Sequence, residues 1–560
     1  MWLVTKQTAR HFVFFAICVL ATLVAEAVGP EETVAARLLQ DVRSEVRDLP
    51  QISNREDVPF EWAGRQEVLS IFAQVEASFG CYDAARSVIA RIDDNESRTH
   101  AREAILAIAA VRGDTKAAVR LLDEIPVETS LGISEFLQEI CGGAPQETVI
   151  ALLKHFGSKL SRSHTCMVYC RLATAADSRA ESVKFASEAE SRYTLDPEDY
   201  GVQEAIYQAM LASGRMADAD KFVGEGFTNQ RREDVARDTA IRLAKSCRRD
   251  EAVIIAGRIT YSVDYDNCML DVLRELHARD AIHADDIDAM ALKIHAGSEA
   301  ADALLYYGCL AALSEDQLPR LIEFAERIDD PWWYLRSVNS CLRQSGDRGK
   351  LLIESLGGAE SILAKARRVG ENWHIGTAAS LAVALARSDS RKAAHGYFDV
   401  AAAGFELGST LSLEESANQG AYCPEIMLAL AEASIVLDEQ PRMHKLLRGR
   451  EKWFAEHRDE SDWPPESRSD VLTEVAQAWC KLGELGEFER MCLAEEAGSW
   501  REIPTIAAIE YGADEDNARA FVAMIDRIAS ETSYRIWYKL VLIKSLSKSD
   551  WAYFRALIVH

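Results

Sequence analysis

Proline is scarce in this chain, with 13 residues among 560. Because proline breaks the interior of an α-helix, its scarcity favours long helices. Positive charge is also in deficit: 63 Lys and Arg stand against 89 Asp and Glu, a formal net charge of −26. Proteins that bind nucleic acid carry surplus Lys and Arg, so we expect no nucleic-acid partner. The apolar share of 48% is that of a folded protein rather than a disordered one.

The sequence also lacks the short motifs of common enzyme chemistries. It has no G-x-S-x-G, no H-E-x-x-H, no P-loop and no dinucleotide-binding glycine set. We therefore expect no catalytic residue and no cofactor. The alternative is an enzyme with its active site in the less regular region 361–560. Its candidates are His374, His395, His444 and His457, although no spacing connects them.

Two loose groups of metal-ligating residue types occur elsewhere. Cys166 and Cys170 lie four residues apart, close to His164, and would face one side of a helix. The second group combines histidines with an acidic run: His277, His283, His295, Asp285, Asp286 and Asp288. Buried cysteines and an acidic helix start explain these patterns better, so the prediction is no metal site.

The amino terminus has the pattern of a secretory signal. Lys6 and Arg10 precede an uncharged apolar run over residues 12–24, and Ala25-Glu26-Ala27 matches a cleavage site. The run is shorter than the ~20 residues needed to span a bilayer. The pattern predicts cleavage after Ala27 and export to the periplasm, the cell envelope or the medium, with no stable membrane insertion. A retained segment that tethers a structural scaffold to the membrane is the alternative.

Cysteine usage fits no disulfide framework. The chain has 12 cysteines, of which 11 would remain after cleavage, with irregular spacing and no C-x-x-C. Most have apolar neighbours, as at Cys309, Cys341 and Cys480. The neighbours predict small buried side chains on helices.

Helical periodicity runs through nearly the whole chain after residue 31. Segment 101–112 and segment 66–79 both place apolar residues at i, i+3, i+4 and i+7. Patterns typical of β-strands are scarce. The sequence therefore predicts an all-α protein.

The helices repeat. A Gly is followed by Ala five residues later in three segments, at Gly80 and Ala85, Gly113 and Ala118, and Gly214 and Ala219. In these segments Gly would end one helix, and the following Ala would let the next helix cross it closely. A neighbouring Asp, such as Asp114, is expected to cap the second helix. The same position recurs at Ala151, Ala252, Leu318 and Leu351, which gives a period of about 33–34 residues.

This Gly-x4-Ala turn, the apolar positions after it and the period resemble the tetratricopeptide-repeat family, over residues 62–360. The family's early helix-A aromatic and its closing proline are mostly absent. The resemblance implies a right-handed α-solenoid of stacked antiparallel helix pairs, and the binding of partner proteins or peptides. After about residue 360 the spacing lengthens to 42–50 residues and the helices become less regular.

The predicted organisation has six parts. They are a signal peptide (1–27), an N-terminal helix and lead-in (28–61), the repeat array (62–360), its longer-helix continuation (361–456), an acidic loop with prolines (457–470) and a C-terminal helical cap (471–560).

One pair of aromatic residues suggests a partner site. Asp330 and Pro331 mark a helix start, followed by Trp332 and Trp333. Consecutive residues on a helix cannot both face the core, so one Trp is expected to be exposed and able to anchor a partner. Packing between neighbouring repeats is the alternative. The negative charge predicts basic or polar protein or peptide partners.

Overall fold

The computed structural model describes residues 33–47, 61–123, 130–157, 159–193, 200–223, 227–295, 297–408, 425–457, 465–494, 499–514, 516–529 and 532–547. Within these ranges all regular structure is helical, and helices pack as successive antiparallel pairs. The predicted all-α helical-repeat fold is confirmed. The right-handed sense stays a prediction, and the predicted signal peptide lies outside the described residues.

The helices follow one another with short connections. In chain order they are α1 Val34–Arg47, α2 Glu61–Ser78, α3 Tyr82–Ile89, α4 Asn95–Val111, α5 Thr115–Leu122, α6 Ser130–Ile140, α7 Gln146–Phe156, α8 Arg162–Ala175, α9 Arg179–Arg192, α10 Tyr200–Ala212, α11 Met216–Val223, α12 Asn229–Lys245, α13 Arg249–Ala256, α14 Ser262–His277, α15 Ile287–Ala291, α16 Glu299–Ser314, α17 Leu318–Arg327, α18 Pro331–Gln344, α19 Gly349–Ser355, α20 Ala359–Val369, α21 Glu371–Arg387, α22 Arg391–Gly408, α23 Glu425–Leu437, α24 Gln440–His457, α25 Pro465–Lys481, α26 Leu485–Ala494, α27 Ser499–Gly512, α28 Ala518–Ile528 and α29 Thr532–Ser547. Short 3-10 turns, Ala284–Asp286 and Gly346–Arg348, precede α15 and α19. None of the described helices is both long enough and apolar enough to cross a bilayer.

The chain forms two compact units. Unit 1 combines residues 1–109 with residues 485–560, and unit 2 comprises residues 110–484. The unit boundaries therefore fall inside the predicted repeat array and inside the predicted C-terminal cap, rather than at residue 360. A helix also begins at Pro465, within the predicted loop 457–470. Proline suits this first helical position because the amide that it lacks would have no partner there.

The turn after the first helix of each pair contains a residue whose backbone is in the left-handed conformation. Glycine fills it at Gly80, Gly113, Gly214, Gly346 and Gly483, all with positive φ. At the equivalent turns the residues with positive φ are Cys247, Asp280, Asp316, Asp389 and Asp438. The intervals from position 214 to 346 are 33, 33, 36 and 30 residues, and those from 346 to 483 are 43, 49 and 45. The period and its later lengthening are thus visible in the backbone.

At eight of these ten turns the fifth residue after the turn is buried on the second helix; after Asp280 it is the exposed Asp285, and after Gly346 it is Leu351. The buried residue is at most 1% exposed at Ala85, Ala118, Ala219, Ala252, Leu321, Ala394, Met443 and Phe488. The predicted equivalents Leu318 and Leu351 are wrong, because Leu321 occupies the first position and Leu351 is 52% exposed. The 3-10 turn before α19 shifts the buried position by one residue, to Leu352. The predicted cap at Asp114 is also wrong, since its side chain caps no helix and lies 3.4 Å from Arg112 Nε.

Arginines join neighbouring repeats across similar intervals. Arg179 Nε donates to the carbonyl of Ser213 at 3.1 Å, and Arg237 Nη2 lies 3.3 Å from Asp271 Oδ2, each 34 residues apart. Arg320 Nη2 lies 2.7 Å from Asp288 Oδ2, 32 residues away. Such exposed pairs contribute little stability individually, so they mainly fix the register of one repeat on the next.

Unit 1 is built from both ends of the described chain. Helix α29 packs on α1 and α2, and the contact with α1 is closed by an ion network. Lys539 Nζ lies 2.6 Å from Glu45 Oε1 and 2.6 Å from Asp526 Oδ1, while Arg535 Nε lies 3.4 Å from Glu45 Oε2. The Lys539 side chain is only 8% exposed. We call Glu45, Asp526, Arg535 and Lys539 the terminal clasp.

Most described cysteines are buried on helices, as expected. The buried thiols are Cys141, Cys166, Cys170, Cys268, Cys309, Cys341 and Cys492. Cys480 is only partly buried, Cys247 is exposed, and the described cysteines form no disulfide. Burial raises the pKa of Cys309 to about 12, which leaves that thiol unreactive.

Candidate functional site

Aromatic side chains of four helices in unit 2 form one continuous row. The four helices, α14, α16, α18 and α21, each pack on the next. Neighbouring ring centroids are 4.8–5.7 Å apart along the row, which comprises His277, Tyr307, Tyr306, Trp333, Trp332 and Trp373. These distances are those of interacting rings. We call these six residues the aromatic row.

The start of α18 is fixed by two carboxylates. Asp330 caps the helix, because its Oδ1 accepts hydrogen bonds from the amides of Trp332 at 2.7 Å and Trp333 at 3.0 Å. Asp302 on α16 accepts from the amides of Asp329 at 3.0 Å and Asp330 at 3.3 Å. Burial raises the pKa of Asp302, partly offset by these two hydrogen bonds. The predicted cap at Asp330 is thus confirmed, and a second carboxylate ties α18 to α16.

The two tryptophans have different environments. Trp333 is buried, with its ring 5.7 Å from that of Tyr306. Trp332 is partly exposed and stands edge-to-face with both Trp333 and Trp373, at 5.0 and 5.6 Å. Trp333 therefore has the predicted role of packing between repeats. Trp332 keeps surface that a partner could cover, and its role as an anchor stays a prediction.

Arg336 lies one turn further along α18, over the same rings. Its Cζ is 5.1 Å from the ring centroid of Trp333, 5.2 Å from that of Trp332 and 5.4 Å from that of Tyr306. These distances favour cation–π attraction. Within the described part of the chain, Arg336 forms no ion pair. The guanidinium is therefore held by ring faces while its N–H groups have no carboxylate.

Two buried polar side chains lie on the same helices. Asn339 is 6% exposed, and its Oδ1 has no hydrogen-bond donor among the described residues. Thr377 on α21 is fully buried, and its Oγ1 likewise has no partner within the described ranges. Buried polar groups are nearly always hydrogen-bonded, because leaving one unpaired costs about 1–3 kcal/mol. These two groups lie on the helices that also carry Trp332 and Trp373.

Sequence reasoning missed Arg336, Asn339 and Thr377. Counting from Trp332, Arg336 and Asn339 stand at i+4 and i+7, on one face of α18. Thr377 has the i+4 relation to Trp373 on α21. The signal in the sequence was a stripe of polar residues at helical spacing after a tryptophan, on helices that are otherwise apolar.

Burial is the main cause of the pKa shifts within the aromatic row. Burial lowers the pKa of His277, which nearby Asp280 raises in part. Burial raises the pKa of Tyr307, against the opposing effect of Arg274 and Arg336. Both shifts favour the uncharged forms, so the row presents neutral rings, with Arg336 over three of them and Arg274 near Tyr307.

The groups considered for metal binding do not assemble. His283 Nδ1 lies 3.2 Å from Glu315, while the His295 ring stacks on Tyr265 at 4.0 Å and Asp288 pairs with Arg320. Cys166 and Cys170 are buried in the core beside each other, and His164 starts the same helix. Across the described ranges, no three His, Cys, Asp or Glu side chains are arranged to hold a metal ion.

The histidines considered for catalysis have separate partners. His374 Nδ1 lies 3.6 Å from Glu371, His395 Nδ1 lies 3.4 Å from Glu439 and His444 Nε2 lies 3.5 Å from Glu484. The side chain of His457 lies outside the described residues. Each described histidine thus belongs to a local pair rather than to a common cluster.

Comparisons with known proteins add alignments of low similarity. No family model matches the chain, and no curated protein matches it. A solved structure of Naa15/Naa10 bound to HypK-THB aligns with 94% of this chain and 80% of its own, at 15% identity and a TM-score of 0.34. A circular tandem repeat protein with novel repeat topology aligns with 93% of this chain and 95% of its own, at 12% identity and a TM-score of 0.12. The helical-repeat fold is evident from the packing of this chain's own helices.

Proposed function

We propose that this chain is an exported helical-repeat scaffold that binds protein or peptide partners, without catalysing a reaction. The observation that carries the proposal is the aromatic row, in which every ring except that of Trp333 remains partly exposed, on four helices that each pack on the next. Clustered aromatic residues and arginine are the side chains that dominate protein–protein binding energies. Helices that stack in register also present such side chains at regular intervals along one surface.

The charge balance supports the choice of partner. Removal of residues 1–27 would leave 61 basic and 88 acidic residues, by subtracting Lys6, Arg10 and Glu26 from the full counts. A strongly negative scaffold attracts basic or polar partners, and salt screens that attraction. We expect partner association to slow as ionic strength rises.

Export is supported by the composition of residues 1–27, and N-terminal sequencing of the native protein tests it. A mature chain that begins at Val28 supports a cleaved signal and a scaffold free of the membrane. A chain that retains Lys6 and the following apolar run supports the alternative, a scaffold tethered by its first segment.

Site-specific photo-crosslinking tests the binding surface. A photoreactive phenylalanine analogue replaces Trp332 in one variant and Leu351 in a matched control, because Leu351 is exposed on α19 and lies outside the row. Both variants are irradiated in the native envelope fraction. The proposal expects protein adducts from position 332 and few from position 351. Equal yields at the two positions, or none at position 332, would contradict it.

A further inference from the structure

We propose that Arg336 anchors a segment of a partner protein through an internal acidic side chain of that segment. This inference rests on the proposed binding function and specifies what the aromatic row recognises. It is carried by a partly exposed arginine that lies over three aromatic rings and has no counter-ion among the described residues.

Arg336 lacks a carboxylate partner in a chain that has 26 more acidic than basic residues. Two acidic side chains on the neighbouring helices are already engaged. Asp271 on α14 pairs with Arg237 and Arg274, and Asp302 on α16 accepts two backbone amides. Ring faces hold the guanidinium, which leaves its N–H edge for a planar anion. A carboxylate is the group that matches this edge with two parallel hydrogen bonds.

Asn339, one turn further along α18, lies out of reach of a bound segment. Its Oδ1 is buried and has no donor among the described residues. The carboxylate of the segment therefore meets α18 at Arg336, beside Trp332, because these two side chains keep exposed surface.

The charge around the anchor selects a peptide rather than a polyanion. Arg274, which also lies near the row, is paired with Asp271, so Arg336 is the cation left without a carboxylate, and the exposed Asp329 and Asp330 lie at the start of its helix. Several phosphates in a row would be repelled there, whereas one acidic side chain flanked by a basic residue complements both charges. The segment we infer therefore carries Glu or Asp at its centre and Lys or Arg nearby, consistent with a generally basic partner.

A paired peptide array tests the inference with the purified full chain. Each acetylated 12-residue peptide has a central Glu and a flanking Lys, and is matched by a form with Gln in place of Glu. The third form has the central Gln and a free carboxyl terminus, while the first two are amidated. We expect the Glu form to bind about tenfold more tightly than the Gln form, since charge-assisted hydrogen bonds are roughly twice as strong as neutral ones.

Three variants separate the roles. Arg336→Gln should bring the Glu and Gln forms to equal affinity, and Asn339→Leu, at a buried position on the same helix, should keep the preference. The control Arg274→Gln, on an exposed side chain already paired with Asp271, should keep the preference. Equal binding of Glu and Gln forms to the wild type, preference for the free terminus, or a preference that survives Arg336→Gln would overturn this inference alone. Failure of every peptide form to bind would overturn the proposed function as well.

Discussion

Two cations with partly or largely buried side chains differ in what surrounds them. In unit 1, Lys539 lies 2.6 Å from each of two carboxylates, on α1 and α28. In unit 2, Arg336 lies on three aromatic rings and has no carboxylate within the described residues. The charge of Lys539 is paired within the fold, whereas the charge of Arg336 remains able to pair with a carboxylate of a partner.

The contrast separates structural from binding roles. Removing one partner of a buried ion pair is costly, because the remaining charge stays desolvated. A polar group that has no partner in the protein adds little to its stability, and one that is buried without a partner costs stability. The terminal clasp is therefore expected to hold unit 1, whereas Arg336 and Asn339 are expected to be nearly dispensable to the stability of unit 2.

The largest effect is expected from Lys539→Met. This change leaves Glu45 and Asp526 facing each other without the ammonium and should destabilise unit 1 by about 2–3 kcal/mol. The estimate is below that for a fully buried pair, because Glu45 and Asp526 are 24% and 44% exposed. Hydrogen–deuterium exchange of the full chain should show lost amide protection in α1 and α29.

The control for this change is Arg86→Gln, on an exposed pair with Asp83 in α3 of the same unit. It should alter protection by less than about 0.5 kcal/mol. Equal protection of α1 in Lys539→Met and in the wild type would show that the clasp is not needed.

Two buried amides in unit 2 should respond in opposite directions. Gln208 Oε1 accepts a hydrogen bond from Arg171 Nη1 at 3.0 Å, so Gln208→Leu should cost about 1–2 kcal/mol. Asn339 has no such donor, so Asn339→Leu should be neutral or stabilise unit 2 by up to about 1 kcal/mol. Chemical denaturation of the full chain measures both. Destabilisation by Asn339→Leu as large as that by Gln208→Leu would mean that Asn339 serves the fold.

A smaller effect on stability is expected from Arg336→Gln. The loss is confined to cation–π contacts with the row, about 1 kcal/mol or less at a partly exposed position. The same denaturation series measures it. A loss comparable to that of Lys539→Met would remove the distinction between the two cations.

The smallest expected effect is on the pH dependence of the stability of unit 2. Burial places the folded-state pKa of His277 below its usual 6.5, so folding favours the neutral imidazole. This contribution is present above pH 6.5 and is lost as the pH falls through the folded-state value. His277→Gln should flatten that part of the stability profile of unit 2 between pH 7 and pH 5. Identical profiles for wild type and His277→Gln would refute the assignment.

The sequence predicts the repeat better than it predicts the site. Gly80, Gly113 and Gly214 reveal the period because glycine adopts positive φ without strain. The same turn is hidden at Asp316 and Asp389, since Asp tolerates this conformation but also occurs in many other places.

The binding surface and the ion network of unit 1 could not be predicted from the sequence, because both depend on how distant helices pack. Trp332 and Trp333 stand out by residue type, yet only packing decides that Trp333 is buried and Trp332 is not. The missing partner of Arg336 is a property of three helices together. Likewise, the pairing of Lys539 with Glu45 joins positions 494 residues apart, which no local pattern encodes.

The affinity ratio between the Glu and Gln forms of one array peptide tests the central claim most directly. If the partner segment supplies the carboxylate that Arg336 lacks, the ratio is about ten or more for the wild type and close to one for Arg336→Gln. The Lys539→Met variant should keep the wild-type ratio, because the clasp belongs to the fold of unit 1. A wild-type ratio of one would contradict the account.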